Sequence, residues 1–187
     1  MPSRLPPHIR EKLEPIRLLV LDVDGVLTDG TLIYTAAGEE AKTFNVRDGL
    51  GIRLLLESGI KVGVISGRSS SALSARCVDL GLPDDLVFLG SRDKQADLDR
   101  MLAVLGIGDD ELAAMGDDLP DLPLLGRAAF TFCPADAAPE VVAVCDHVCG
   151  RSGGRGAVRE VAEILLKAQG RWSRLLEGWS MTDRARR

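Results

Sequence analysis

An apolar run, Ile16-Arg17-Leu18-Leu19-Val20-Leu21, stops abruptly at Asp22-Val23-Asp24-Gly25. The run predicts a buried strand over Ile16–Asp22. Side chains alternate along a strand, so acids at i and i+2 point the same way from its carboxyl end. Gly25 lets the chain turn sharply behind them. In open α/β sheets, ligands bind at the carboxyl ends of the strands. A strand running into an acidic turn would also produce Asp-x-Asp, so this pair needs support from elsewhere in the chain.

The support comes from repetition. Strands are predicted at Lys61–Ser66, Leu86–Leu89, Leu112–Met115, Ala128–Phe132 and Cys145–Val148. Helices are predicted at Gly49–Glu57, Ser69–Leu80 (closed by Gly81), Asp93–Leu105 (closed by Gly106), Pro120–Leu125 and Ala157–Gln169, with a helical turn near Pro139–Val144. Alternating β and α units predict an α/β fold: a Rossmann-like parallel sheet sandwiched by helices. At 187 residues the chain suits one domain. That domain is placed at 16–169, with an N-terminal extension at 1–15 and a loose C-terminal extension at 170–187. Two short runs, Thr31–Thr35 and Glu40–Phe44, flank Ala36-Ala37-Gly38 and predict a β-hairpin flap at 31–44.

Further chemistry falls at the strand ends. Ser66 closes one strand and precedes Gly67, where a hydroxyl and backbone N–H groups can hold phosphoryl oxygens. Lys94 opens a helix, an unfavourable place for a cation by the helix dipole, unless it answers nearby acids. Gly116-Asp117-Asp118-Leu119-Pro120-Asp121 crowds three acids after another strand. Crowded like charges raise one another's pKa unless a cation sits among them, and Mg2+ prefers such hard oxygens. An acidic helix cap would need one Asp, not three.

Other features exclude partners. The net charge is −5 with no long basic run, which argues against nucleic acid. No apolar stretch approaches the roughly 20 residues of a membrane span. The polar, proline-broken start lacks a signal-peptide core, and a cytoplasmic protein with reduced thiols is expected. Cys145, His147 and Cys149 lie close together, but zinc's usual spacing and a fourth ligand are missing, so the segment reads as a short strand with small fillers.

The Asp22–Asp29 stretch, DVDGVLTD, resembles the first motif of the haloacid dehalogenase superfamily of phosphotransferases. The order Asp22 and Asp24, Ser66, Lys94, Asp117 with Asp121 matches its four motifs. The resemblance implies that Asp22 attacks phosphorus, that Asp24 shuttles a proton, and that Ser66 and Lys94 stabilise the transferring phosphoryl group. It implies Mg2+ held by Asp22, the Asp24 backbone carbonyl and Asp117, with Asp118 and Asp121 behind them. The strings Phe44–Ile52, Ser66-Gly67-Arg68, Arg76-Cys77 and Gly153–Val161 resemble the capless branch that hydrolyses 3-deoxy-D-manno-octulosonate 8-phosphate in lipopolysaccharide precursor synthesis. That likeness implies a homotetramer and substrate contacts from Asn45, Val46, Arg47, Asp48, Gly49, Arg53, Gly67, Arg68, Arg76, Lys94 and Arg155. It also has the glycine-rich Gly150–Gly156 segment reaching a neighbour's site. A sister branch acting on nine-carbon 2-keto sugar acid phosphates typically carries Glu where this chain has Arg68, and tends to carry Lys where it has Asp79. Both differences favour the eight-carbon substrate. The nine-carbon reading and a non-catalytic assembly domain stand as alternatives.

Overall fold

The computed structural model describes residues 6–36 and 40–184. In chain order its main elements are α1 (Pro7–Leu13), β1 (Leu18–Leu21), β2 (Ile33–Tyr34), β3 (Glu40–Ala41), α2 (Val46–Glu57), β4 (Lys61–Ser66), α3 (Ser71–Leu80), β5 (Val87–Leu89), α4 (Lys94–Leu105), β6 (Leu112–Met115), α5 (Leu122–Leu125), β7 (Phe130–Cys133), α6 (Pro139–Val142), β8 (His147–Val148), α7 (Ala157–Ala168) and α8 (Trp172–Arg184). Six strands form one sheet in the order β5-β4-β1-β6-β7-β8, and every pairing is parallel. This is the helix-sandwiched α/β fold that the β–α alternation predicts.

The sheet is apolar on both faces because helices cover both. Leu19 and Leu21 of β1 join Ile52, Leu55, Val158 and Leu165 in one core. Leu18 and Val20 face Leu98, Met101 and Leu102 of α4 in the other. The same alternation carries Asp22 toward the α4 face, where Lys94 begins that helix.

Three expectations need correction. The N-terminal extension contains α1, whose Leu13 is wholly buried and joins the core. The side-chain amide of Gln169 donates to the Leu13 and Ile16 carbonyls at 3.0 and 2.7 Å and ties the end of α1 to the end of α7. The C-terminal extension is the helix α8 rather than a loose tail. Trp172 and Leu175 pack on the core, and the Arg159 and Lys167 cations sit 5.4 and 5.2 Å from the Trp172 ring centre. The predicted strand Cys145–Val148 shrinks to His147–Val148, because Cys145 and Asp146 lie in a turn whose Asp146 carboxylate is bonded to Thr131.

β2 and β3 pair antiparallel with Ile33 opposite Ala41. Of the predicted turn Ala36-Ala37-Gly38, Ala37 and Gly38 lie outside the described residues, as do 1–5, Glu39 and 185–187.

Asp48 is not presented to solvent. It is 1% exposed, and its carboxylate accepts N–H groups from Gly156 at 3.1 Å and Arg159 at 2.8 Å. Burial pushes its carboxyl up, against the pull of those N–H groups at the start of α7. It therefore fastens α2 to the positive end of α7. Asp48→Ala strands two buried donors, and an unfolding cost of about 2–4 kcal/mol is expected from a lowered urea midpoint at unchanged slope. A loss under about 0.5 kcal/mol would place the residue outside the fold's framework.

Candidate active site

The strand register assembles the centre. Leu21 pairs with Val64 on β4 and with Met115 on β6. Just past these pairs, Ser66 ends β4 and Asp117 follows β6, on opposite sides of the Asp22–Asp24 turn that follows β1. That turn is wound tightly: the N–H groups of Val26, Leu27 and Thr28 all point at the Val23 carbonyl, at 3.2, 2.9 and 3.0 Å. The Thr28 hydroxyl donates to the same carbonyl at 3.3 Å and accepts from Gly30 N–H at 3.2 Å. Gly25 has φ +94°, and a Cβ there would lie 2.0 Å from an Asp117 oxygen. Only glycine lets the two acidic strand ends meet this closely.

Lys94 is the hub. Its Nζ donates to Asp22 Oδ1 and to Asp121 Oδ1, each at 2.6 Å, and all three side chains are nearly buried. Asp93 caps α4 by accepting from Gln95 and Ala96 N–H groups, which places Lys94 at the first helical position. The other oxygen of Asp121 accepts from Asp117 N–H at 2.9 Å and Asp118 N–H at 3.3 Å. Asp118 is exposed and accepts from Leu119 N–H at 2.8 Å, so it shapes the turn. Pro120 sits inside that turn without displacing Asp121.

The charges do not balance. Asp22, Asp117 and Asp121 bring carboxylate oxygens within 4.8 Å of one another. Lys94 is the ammonium that bridges two of them. Burial pushes Asp22 up to about 7, reinforced by Asp121 and opposed by Lys94. Burial and the nearby Asp22, Asp121 and Asp118 push Asp117 up to about 8. For Lys94, burial alone would lower the pKa, but Asp22 and Asp121 outweigh it and hold it above its ordinary value. An all-oxygen donor set with this unmet negative charge fits a divalent cation.

Ser66 is buried, and its Oγ accepts from Arg68 N–H at 3.2 Å. Gly67 is exposed beside it and lines a cleft of about 340 Å³ together with Ser91, Lys94 and Pro120. The flap adds two residues that sequence reasoning missed. Lys42 has a buried side chain paired with Asp24 Oδ1. The Tyr34 hydroxyl accepts from Arg68 at 2.8 Å, and Arg68 Nε lies 3.9 Å from Asp24 Oδ2. No local pattern marks Lys42, since 18 residues separate it from its partner.

Comparison with known proteins fits this geometry. Residues 87–160 match the haloacid dehalogenase-like hydrolase family. The 3-deoxy-D-manno-octulosonate 8-phosphate phosphatase of Salmonella typhimurium is 44% identical over 165 residues, 88% of this chain and 87% of that one. The chain belongs to the 3-deoxy-D-manno-octulosonate 8-phosphate phosphatase family. The family's enzyme from Moraxella catarrhalis, solved in complex with magnesium, phosphate and KDO, is similar to this chain with a TM-score of 0.88 and 39% identity, over 92% of this chain and 98% of that one. A cobalt-bound form of the Haemophilus influenzae phosphatase has a TM-score of 0.82 and 45% identity, over 85% of this chain and 92% of that one. Magnesium and cobalt in these relatives agree with the acidic cluster of Asp22, Asp117 and Asp121 in this chain, whose oxygens suit a divalent metal ion.

The remaining residues expected from the family resemblance are dispersed. Asn45 caps α2 and donates to the Gly154 carbonyl at 3.3 Å. Val46 and Arg47 are exposed on the first turn of α2. Arg53 and Arg76 converge on Asp79 at 3.5 and 2.7 Å, and Arg76 also covers buried Gly49 and the Phe44 ring. Asp79 thus fixes two arginines on the α2–α3 side of the flap. Arg155 pairs with Asp29 at 2.9 Å. The glycine-rich segment that carries it lies on this chain's own Val26–Asp29 turn: Gly154 N–H donates to the Val26 carbonyl at 2.9 Å. A Cβ on Gly153 would meet the Gly25 carbonyl at 1.7 Å, so the glycines let this segment lie directly against the turn that follows Asp24.

Proposed function

We propose that this chain hydrolyses 3-deoxy-D-manno-octulosonate 8-phosphate to the free sugar acid and phosphate through an aspartyl-phosphate on Asp22. The observation that carries the reading is the Lys94 bridge between Asp22 and Asp121, beside Asp117, at the carboxyl ends of β1 and β6. The bridge points one Asp22 oxygen at Lys94 and holds the carboxylate ready to attack.

In the first step an Asp22 oxygen forms a bond to phosphorus and the phosphorus–sugar oxygen bond breaks. Asp24, protonated, gives its proton to the leaving oxygen. In the second step Asp24 takes a proton from water, the water oxygen bonds to phosphorus, and the bond to Asp22 breaks. Lys94, the Ser66 hydroxyl and backbone N–H groups after Ser66 stabilise charge on the phosphoryl oxygens, where most catalysis of this type resides. A divalent ion, Mg2+ in our reading, would be held by Asp22, Asp117 and the Asp24 backbone carbonyl and supplies positive charge to those oxygens. Lys42 and Arg68 flank the Asp24 carboxylate and orient it under the flap.

The sugar end of the substrate faces Arg68, whose position beside Asp24 supports the eight-carbon reading over the nine-carbon one. Arginine offers a planar fork to a sugar carboxylate. Arg68→Glu is expected to lower kcat/KM for 3-deoxy-D-manno-octulosonate 8-phosphate at least about tenfold, equivalent to about 1.4 kcal/mol of transition-state binding. p-Nitrophenyl phosphate, which lacks that carboxylate, should be affected far less. Equal losses on both substrates would assign Arg68 to the phosphoryl group or the fold. Turnover of a panel of eight- and nine-carbon sugar acid phosphates tests the reading as a whole.

A homotetramer working in the cytoplasm completes the proposal. Leu32, Ile33 and Tyr34 of the flap are 39%, 44% and 61% exposed, an apolar patch suited to an interface. Among the described residues no helix is long and apolar enough to cross a membrane.

A further inference from the structure

We propose a second cation site, separate from the acidic centre, formed by His147, Cys149 and Glu160 and suited to a zinc-class ion. The residues come from β8, the residue just beyond it, and the first turn of α7. A ring nitrogen of His147, the Cys149 Sγ and a Glu160 carboxylate oxygen all lie within 4.8 Å of one another. In a tetrahedral zinc site with metal–ligand distances of about 2.0–2.3 Å, neighbouring donor atoms stand roughly 3.3–3.8 Å apart. His147 Nε2 and Glu160 Oε1 are already 3.7 Å apart.

The side chains are set but not satisfied. His147 Nε2 is buried and makes no hydrogen bond. Its ring is held edge-on against Phe132, with centroids 5.9 Å apart. Glu160 Oε1 is aimed by Gly150 N–H at 3.0 Å. Cys149 is 3% exposed, and the contact its sulfur makes is a long one, 3.9 Å to the Ala157 carbonyl. All four cysteines are free. A cation between the three donors answers the stranded nitrogen and the weakly bonded thiol together.

The donor types separate this site from the acidic one. Imidazole and thiolate select zinc-class ions, whereas an all-carboxylate set selects magnesium. Three protein ligands leave a fourth position for water. On binding, the Cys149 thiol releases its proton to solvent and its sulfur bonds the metal. The ion would join the two ends of the Gly150–Gly156 loop, the loop that backs the turn between Gly25 and Asp29. This inference rests on geometry outside the phosphatase centre and stands or falls apart from the proposed reaction.

Cobalt titration of the metal-stripped full-length protein provides the test, because a cysteine thiolate on Co2+ gives a near-ultraviolet charge-transfer band that oxygen ligands do not. One Co2+ per chain showing that band is expected, displaced by stoichiometric Zn2+. Cys149→Ser should abolish the band. His147→Phe and Glu160→Gln should each weaken the band-forming affinity at least about tenfold. Mg2+-supported hydrolysis of p-nitrophenyl phosphate should stay within about twofold of wild type in all three, since none touches the acidic centre. Absence of the band in the wild-type protein overturns the site. So does a band that survives Cys149→Ser, or one indifferent to both other variants. If Cys149→Ser fails to fold, the His147 and Glu160 variants keep the thiol and decide the matter.

Discussion

Asp22→Asn is expected to remove turnover, leaving under about one per cent of wild-type kcat with an unchanged circular dichroism spectrum. The amide keeps the shape of the carboxylate but is a far poorer nucleophile and metal ligand. The site predicts that the fold will hold. Asp22 is buried among Asp117 and Asp121, and burial already pushes its carboxyl up to about 7, so without a metal ion its charge is a strain rather than a support. An amide in its place relieves like-charge repulsion and can still accept from Lys94. The metal-free variant should therefore match or exceed the metal-free wild type in melting temperature at pH 8, while being inactive. Residual activity above that level in a folded variant would sink the covalent mechanism. A collapse of the fold would sink the electrostatic account.

Metal removal should be equally severe. Excess chelator is expected to abolish hydrolysis, Mg2+ to restore it, and Ca2+ to inhibit, because calcium's looser geometry lets it engage the nucleophile through both oxygens. Full activity in chelator would refute the site. The same charges fix the pH dependence. Asp22 is pushed up to about 7 and Asp117 up to about 8. In the unfolded chain such groups titrate near pH 4. Between about pH 4 and those raised values, the metal-free folded state holds protons that the unfolded state has lost. Stability falls with pH wherever the native state binds more protons, so the metal-free protein should lose stability as pH rises through this window. A divalent ion takes the place of those protons. Its binding should therefore release protons, its affinity should climb with pH and level off above about 8, and its stabilising effect should be largest at the alkaline end. Calorimetry in buffers of different ionisation enthalpy measures the release directly. Binding without proton release would show that the crowding is relieved some other way.

The clustering of these acids at one sheet edge was legible because its rules are local. An apolar run ended by Asp22 and Asp24 puts two acids on one side of a strand end, whatever the rest of the chain does. Ser66, Lys94, Asp117 and Asp121 follow at later strand ends, and a parallel sheet brings all such ends to one edge. The in-register pairing of Leu21 with both Val64 and Met115 does the rest.

Other features had no local signature. The polar termini, proline-broken at the start of the chain, read as extensions, yet Leu13 of α1 is wholly buried and Trp172 of α8 packs on the core. Helix propensity there is completed by packing partners supplied from α7, far along the chain. Asp48 looked like a ligand-facing acid within a matching string, but it fastens the start of α7. The glycines of the 150–156 loop signalled a close approach, expected toward a neighbour's site, and no local pattern showed that they also lie against this chain's own Val26–Asp29 turn. Lys42 finds Asp24, and Glu160 finds His147, only through folds of the chain that no spacing encodes. By itself, then, the sequence determined the β–α alternation of the central sheet and which acids stand at its strand ends, since alternation and periodicity act over a few residues. The tertiary structure alone decided which side chains from distant segments meet, because those contacts exist only once the helices have closed over the sheet.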